Sequence, residues 1–500
     1  MEKSSKFLFA MLALVCVFAL GFGIFALNNK NDTILDISND KKVIVNTLDT
    51  LVEKNNELET LNMVYVRNLT DATNTIMMLQ NELENNKALL EELKESNELS
   101  ESQVTELNAQ IDELNVLLSN KDATISDLNS VIEGNNQTIA NLNSTVEELV
   151  AQLNSENTLF KQVISGEITE VSATDLGNIS EIRPYAFYGC ENLTSVELPD
   201  SVEVIGKNAF MLCKNLTTIE FSTNLTSIED FAFSQSGIVS IEMPIALSSL
   251  GQSCFSSCTS LETVDLSNTK IIKTPPRLFY NCYSLVTVSF PDTLTSYNQD
   301  AFVNCNSLTL FEISKNVTSL YTSVYSGGLP AFAYCPNIYF VVDPLNKTFY
   351  SEDGCLYTKN KKNLIASSGE ESVNIISGCK FINSYAFSGR DNLTSIIIPE
   401  GVESIGSDSF SGCMNLITVT LPSTLEQLSS EAFSLAVVLE YIFKSVNPPE
   451  LSGNRLFDFL GFPQNPDEFK IVVPAGSGEI YKTAEHWKDL YADYIVEEVA

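Results

Sequence analysis

The chain has 500 residues, with 64 acidic against 29 basic side chains and a formal net charge of −35. Such a surface repels phosphate, which argues against a nucleic-acid partner. A single histidine, His486, excludes a histidine-built metal cluster and leaves a serine or cysteine nucleophile only one candidate base, while 44% hydrophobic residues suffice for packed cores.

Phe7 to Leu27 reads FLFAMLALVCVFALGFGIFAL, without a charge. At 1.5 Å rise it matches the roughly 30 Å hydrocarbon thickness of a bilayer. It is longer than the apolar stretch of a cleavable leader. Lys3 and Lys6 precede it and Asp32 and Asp36 follow, so the positive-inside tendency puts the N-terminus in the cytoplasm and the rest outside. The expectation is a cytoplasmic tip and transmembrane signal-anchor at 1–27 and a linker at 28–43. The C-terminus ends in EEVA with no LPxTG-like sorting signal, so attachment is expected to rest on this span; a cleaved leader would give a secreted protein instead.

From Ile44 to Phe160 one heptad register runs without a stutter. Apolar residues fill 14 of 17 a positions, from Leu48 to Phe160, and 12 of 17 d positions, from Ile44 to Leu149. A 3.5-residue repeat forces helices to wrap around partners. From Val104 onward a is mostly β-branched and d mostly Leu, a combination that favours parallel pairs. Asn55, Asn62 and Asn97 at a would penalise shifted registers, and Gly134-Asn135 forms a soft point. Residues 44–165 are therefore expected to be a parallel coiled-coil stalk about 175 Å long that makes the protein a homo-oligomer, a dimer in preference to a trimer.

After Gly166 a new period appears. AFYGCENL from Ala186, AFMLCKNL from Ala209, CFSSCTSL from Cys254, LFYNCYSL from Leu278 and AFVNCNSL from Ala301 belong to one series. Their cysteine column runs Cys190, Cys213, Ser236, Cys258, Cys282, Cys305, Cys335, Arg390, Cys413 and Ala436, mostly about 23 residues apart, the signature of a solenoid. In each unit a segment such as Ser195-Val196-Glu197-Leu198 alternates as a short strand, and Pro199 ends it.

These residues resemble the BspA-like (Treponema-type) leucine-rich repeat family, whose unit is approximately CxxLxxIxLPxxLxxIGxxAFxx. The resemblance covers about 179–443. It implies an extracellular repeat protein of the adhesin or host-interaction sort, with no fixed site motif to transfer. A variant unit at about 336–380 contains Asp353-Gly354, a hairpin turn between two apolar runs. At 444–500 the tail looks like the family's C-terminal cap, with FKIVVPAG from Phe469 as a last strand and YKTAEHWKDLYADYI as an amphipathic helix.

Ser236 and Ala436 fill the cysteine slot elsewhere, so the column reads as buried free thiols chosen for size, and Cys254-x-x-x-Cys258 as part of it. His486 reads as an ordinary cap residue. No Gly-x-Ser-x-Gly turn or glycine-rich phosphate loop occurs, so neither catalysis nor a cofactor is expected. One array stands out. The exposed strand position holds Glu197, Glu220, Glu242, Asp265, Ser289 and Glu312, whereas later units place Val342, Ile397 and Thr420 there. The acids are expected to line an edge of a concave face and to meet a positively charged partner or Ca²⁺.

The fold expected is thus multi-part α+β: a transmembrane helix, a long parallel coiled coil, then a solenoid of short parallel strands over 166–443 with a cap. The function expected is binding by a membrane-anchored surface protein, to an extracellular protein or to a host or matrix component. The alternative is a structural envelope spacer that binds its own cell's surface machinery.

Overall fold

The computed structural model describes residues 43–59, positions scattered from 61 to 87, then 101–154, 157–321 and 329–452 apart from 430, 435 and 437, and finally 469–487 and 492–498. The expected span from Phe7 to Leu27 lies outside these residues. Among the described residues, no helix is long and apolar enough to cross a membrane.

Helix α1 is continuous over residues 43–59 and helical positions recur to 87; helix α2 is Glu101–Leu153. The expected heptad faces do pair, but not as a parallel stalk between chains. Asn135 Nδ2 donates to Asn62 Oδ1 at 2.7 Å, Asn62 Nδ2 to Asn136 Oδ1 at 2.8 Å, and Asn55 Nδ2 to Asn143 Oδ1 at 2.9 Å. Residue numbers rise along one helix as they fall along the other, so α1 and α2 are antiparallel arms of one chain. This register sets a against d. Leu48, Asn55 and Asn62 face Leu149, Leu142 and Asn135, and all six are buried. Two polar heptad positions, Asn62 and Asn135, therefore satisfy each other in one layer. An intrachain partner also avoids the loss of freedom that association of two molecules entails.

Nor does one helix reach residue 165. The helix α2 ends at Leu153, where buried Asn154 donates Nδ2 to Val150 O and to Tyr185 O. A separate helix α3, Thr158–Ile164, starts at Asn157, whose side chain accepts from Phe160 N. The foot of the hairpin is bound to the first repeat. Asp49 Oδ1 accepts from Tyr185 Oη at 2.9 Å and lies 3.2 Å from Lys207 Nζ. Leu48, Val52, Val146 and Val150 join the same core as Phe187 and Phe210.

Beyond α3 each turn adds one strand to each of two parallel ladders. The first takes Ser195–Glu197 and Thr218–Glu220 in one sheet, then Ser240–Glu242, Thr263–Asp265 and Thr287–Ser289 in the next. The second takes two-residue strands such as Val204–Ile205, Ser227–Ile228 and Ser249–Leu250. Corners are made by left-handed residues, one before the Ala-Phe pair (Tyr185, Asn208, Phe231, Ser253) and one before the column (Gly189, Leu212, Gln235, Ser257). Between the ladders the phenylalanines stack turn on turn: Phe187, Phe210, Phe233 and Phe255 lie 5.2–5.3 Å apart and nearly parallel.

The variant unit contains the expected hairpin. Phe349–Glu352 pairs antiparallel with Cys355–Thr358, and Asp353 and Gly354 take φ of 50° and 73°, the left-handed pair a two-residue hairpin loop requires. Asn363–Ala366 then rejoins the second ladder beside Phe381–Ile382. Two core clusters meet here, one from the hairpin foot to Ala366 and one from Cys355 to Ile495. Arg390, 3% exposed, occupies the cysteine slot at this seam. Its guanidinium donates to Cys335 O, Ser367 O and Ser367 Oγ, spanning the gap that the insertion opens.

At the C-terminal end Lys470–Val473 forms the expected strand but not the last one, since Ile495–Glu497 adds a further rung. The cap helix is correspondingly short, Gly478–Thr483. Trp487, 1% exposed, closes the core and donates Nε1 to Pro449 O at 3.1 Å.

Candidate functional site: an acidic strand face

The strand alternation turns Val196, Ile241 and Val264 into the core and the acids outward. Glu197, Glu220, Glu242 and Glu312 are exposed; Asp265 is half-buried, and its Oδ1 accepts from Ser267 N at 2.8 Å. Register brings two pairs side by side, Glu197 with Glu220 and Glu242 with Asp265. The strip is not continuous. Thr218–Glu220 and Ser240–Glu242 belong to separate sheets, at the unit that is one residue short. Glu312 stands apart and pairs with Val341, not with the expected Val342, which is buried opposite Ile313.

The break between the sheets leaves an open cleft of about 440 Å³. Glu220 and Glu242 line it, with Thr218, Phe221, Ser240 and Met243. Among the described residues none of the five acids has a basic partner, and no His, Cys, Asp or Glu cluster is arranged to hold a metal ion.

The ten described cysteines are free and buried. The expectation that their slot selects only size is incomplete, because most thiols of the column also donate a hydrogen bond. Cys213 Sγ donates to Phe187 O, Cys258 to Phe233 O, Cys282 to Phe255 O and Cys305 to Phe279 O, at 3.0–3.2 Å. Burial raises their pKa, that of Cys258 to about 11 and that of Cys413 to about 12. Such thiols are neither nucleophiles nor metal ligands near neutral pH. His486 lies at the turn after the cap helix, far in sequence from these groups.

Sequence reading followed the first ladder and missed the second, where Lys362, Lys380, Glu403 and Glu426 occupy one position on successive turns. Aligning the units on the second strand as well as on the cysteine would have revealed that row.

Residues 180–309, 241–339 and 358–451 match the model of the BspA type leucine rich repeat region, in six copies. Together they cover half of the chain. The chain belongs to the BspA-type leucine-rich repeat family. Solved structures similar to this BspA-type chain include the pneumococcal vaccine antigen PcpA, at 22% identity over 62% of this chain and 80% of that one, TM-score 0.40. A leucine-rich repeat protein from Bacteroides ovatus has 19% identity over 67% and 85%, TM-score 0.38. A leucine-rich cell surface protein from Faecalibacterium prausnitzii has 19% over 67% and 88%, TM-score 0.37. No curated protein matches this BspA-type chain.

Proposed function

We propose that the chain is a cell-surface binding protein, held to the membrane by residues 7–27 and displaying its BspA-type repeats outside the cell for attachment. Its ligand is an extracellular macromolecule with a basic face, and its contact is the acidic strand face. The observation that carries this reading is the pairing of Glu197 with Glu220 and of Glu242 with Asp265 on neighbouring strands without basic partners among the described residues. Carboxylates on strands about 4.8 Å apart repel by about 1 kcal/mol per pair in water, and a bound cationic group relieves that repulsion. An extended ladder with an open cleft suits a macromolecule.

The test is the triple variant Glu197→Lys, Glu220→Lys, Glu242→Lys, displayed on cells and measured for adhesion to polylysine-coated and matrix-coated surfaces. Adhesion is expected to fall at least about tenfold on reversal of the contact charges, with thermal stability retained. Unchanged adhesion would remove the acidic face from the function. Protease applied to intact cells should cleave the repeats; full protection would overturn the surface assignment.

A further inference from the structure

Four consecutive turns of the second ladder carry charges ordered by sign. Lys380 N donates to Lys362 O at 2.7 Å, Glu403 N to Lys380 O at 2.8 Å and Glu426 N to Glu403 O at 2.9 Å. The four residues thus stand in a single line, two lysines and then two glutamates, on turns about 4.8 Å apart. Equivalent positions on earlier turns hold Glu203, Thr226, Ser248, Ile272, Thr295 and Thr318, of which one is charged. Solubility alone is therefore met by a hydroxyl at this position, and the concentration of alternating blocks in 362–426 has another cause.

Lys380 and Glu403 pair within the chain, their side chains 40% and 32% exposed. Lys362 and Glu426 are exposed and have no ion-pair partner among the described residues. Beside them Phe381, on the turn of Lys380, is 38% exposed, an aromatic anchor between charges.

We propose that this row is a self-recognition surface on which two copies of the chain pack antiparallel, about a two-fold axis between the turns of Lys380 and Glu403. Over these four turns the row reads basic, basic, acidic, acidic; reversed, the segment is its own complement, and Glu450, whose N donates to Glu426 O at 2.8 Å on the next turn, lies beyond it. Lys362 of one copy then meets Glu426 of the other twice over, and the inner Lys380–Glu403 pairs of both copies form one network. A parallel alignment would set like charges together. Isologous contact of this kind closes at a dimer. At −35 two copies otherwise repel, but that repulsion is screened beyond roughly 8 Å at physiological salt, whereas the facing ion pairs act at contact. This dimer uses neither the helical hairpin nor the acidic face, so it stands or falls apart from the proposed function.

The experiment is sedimentation equilibrium on the full-length chain in detergent, comparing wild type with Lys362→Glu, Glu426→Lys and the double variant. A wild-type dimer is expected. Each single reversal should weaken it about tenfold or more by facing like charges, with melting temperature unchanged. The double variant should regain wild-type association, because the two-fold sets position 362 opposite position 426. A wild type that stays monomeric overturns the proposal. So does a dimer indifferent to the single reversals, or a double variant that is not rescued.

Discussion

The cysteine column shows how one repeated residue sets the molecule's response to pH. Burial in the dry interior favours the neutral thiol and pushes Cys190, Cys335 and Cys413 to about 12, and thiols such as Cys213, Cys282 and Cys413 also donate to a phenylalanine carbonyl of a neighbouring turn. An unfolded thiol ionises near pH 8.5. Between those values the native state holds more protons than the unfolded one, and stability falls as pH rises, by about 1.4 kcal/mol per pH unit for each buried thiol. The contribution is complete below the unfolded value and is lost on the way to the folded one. Buried tyrosines such as Tyr297, also raised by desolvation, add to the loss above about pH 10. The melting temperature should accordingly be level through neutrality and drop steeply between about pH 8.5 and about pH 10.5, with a shallower drop in Cys413→Ala. The ten buried thiols from Cys190 to Cys413 should resist maleimide until urea is added. A flat alkaline profile, or rapid labelling of any of these ten thiols in the native chain, would contradict this account.

At the scale of elements, what the sequence made legible depended on how local the contacts are. A solenoid turn touches only its neighbours, so a period near 23, the Val196 and Leu198 alternation and the Asp353-Gly354 turn were enough to place strands, core and hairpin. The heptad was equally visible, but a heptad specifies a face, not the molecule that covers it. Asn62 at a and Asn135 at d read as separate irregularities on one straight helix; folded back, they become a hydrogen-bonded layer. Removing one member strands the other's polar groups, at about 1–3 kcal/mol, whereas replacing both by leucine restores packing. Asn62→Ala should therefore lower hairpin stability by that amount and Asn62→Leu with Asn135→Leu should recover it, as followed by helical circular dichroism during thermal melts. Cysteines placed at 62 and 135 should cross-link within one chain. Cross-linking between chains through a lone cysteine at 62 would instead restore the parallel stalk.

For the whole molecule the hairpin changes where the repeats stand. A stalk running straight from residue 44 to residue 160 would hold the first repeat about 175 Å from the point where the chain enters. With α1 and α2 antiparallel, both ends of the hairpin return to its foot, and Asp49 is bound there to Tyr185 and Lys207. Whatever precedes residue 43 thus enters beside the first turn of the solenoid, while α2, about 80 Å over its 53 residues, points its far end elsewhere. An anchored chain would then hold its acidic face close to its own surface rather than at the end of a long spacer, which favours partners that approach within a short reach. Fluorophores on cysteines at Asn46 and Lys214, both exposed, should show efficient energy transfer, because Asp49, one helical turn after Asn46, is ion-paired with Lys207 of the repeat that carries Lys214. Asp49→Ala, which removes the acceptor of both contacts, should broaden the transfer distribution and lower the melting temperature without unfolding the solenoid, whose core continues to Ile495. Absence of transfer in the wild type would mean that foot and first repeat are apart.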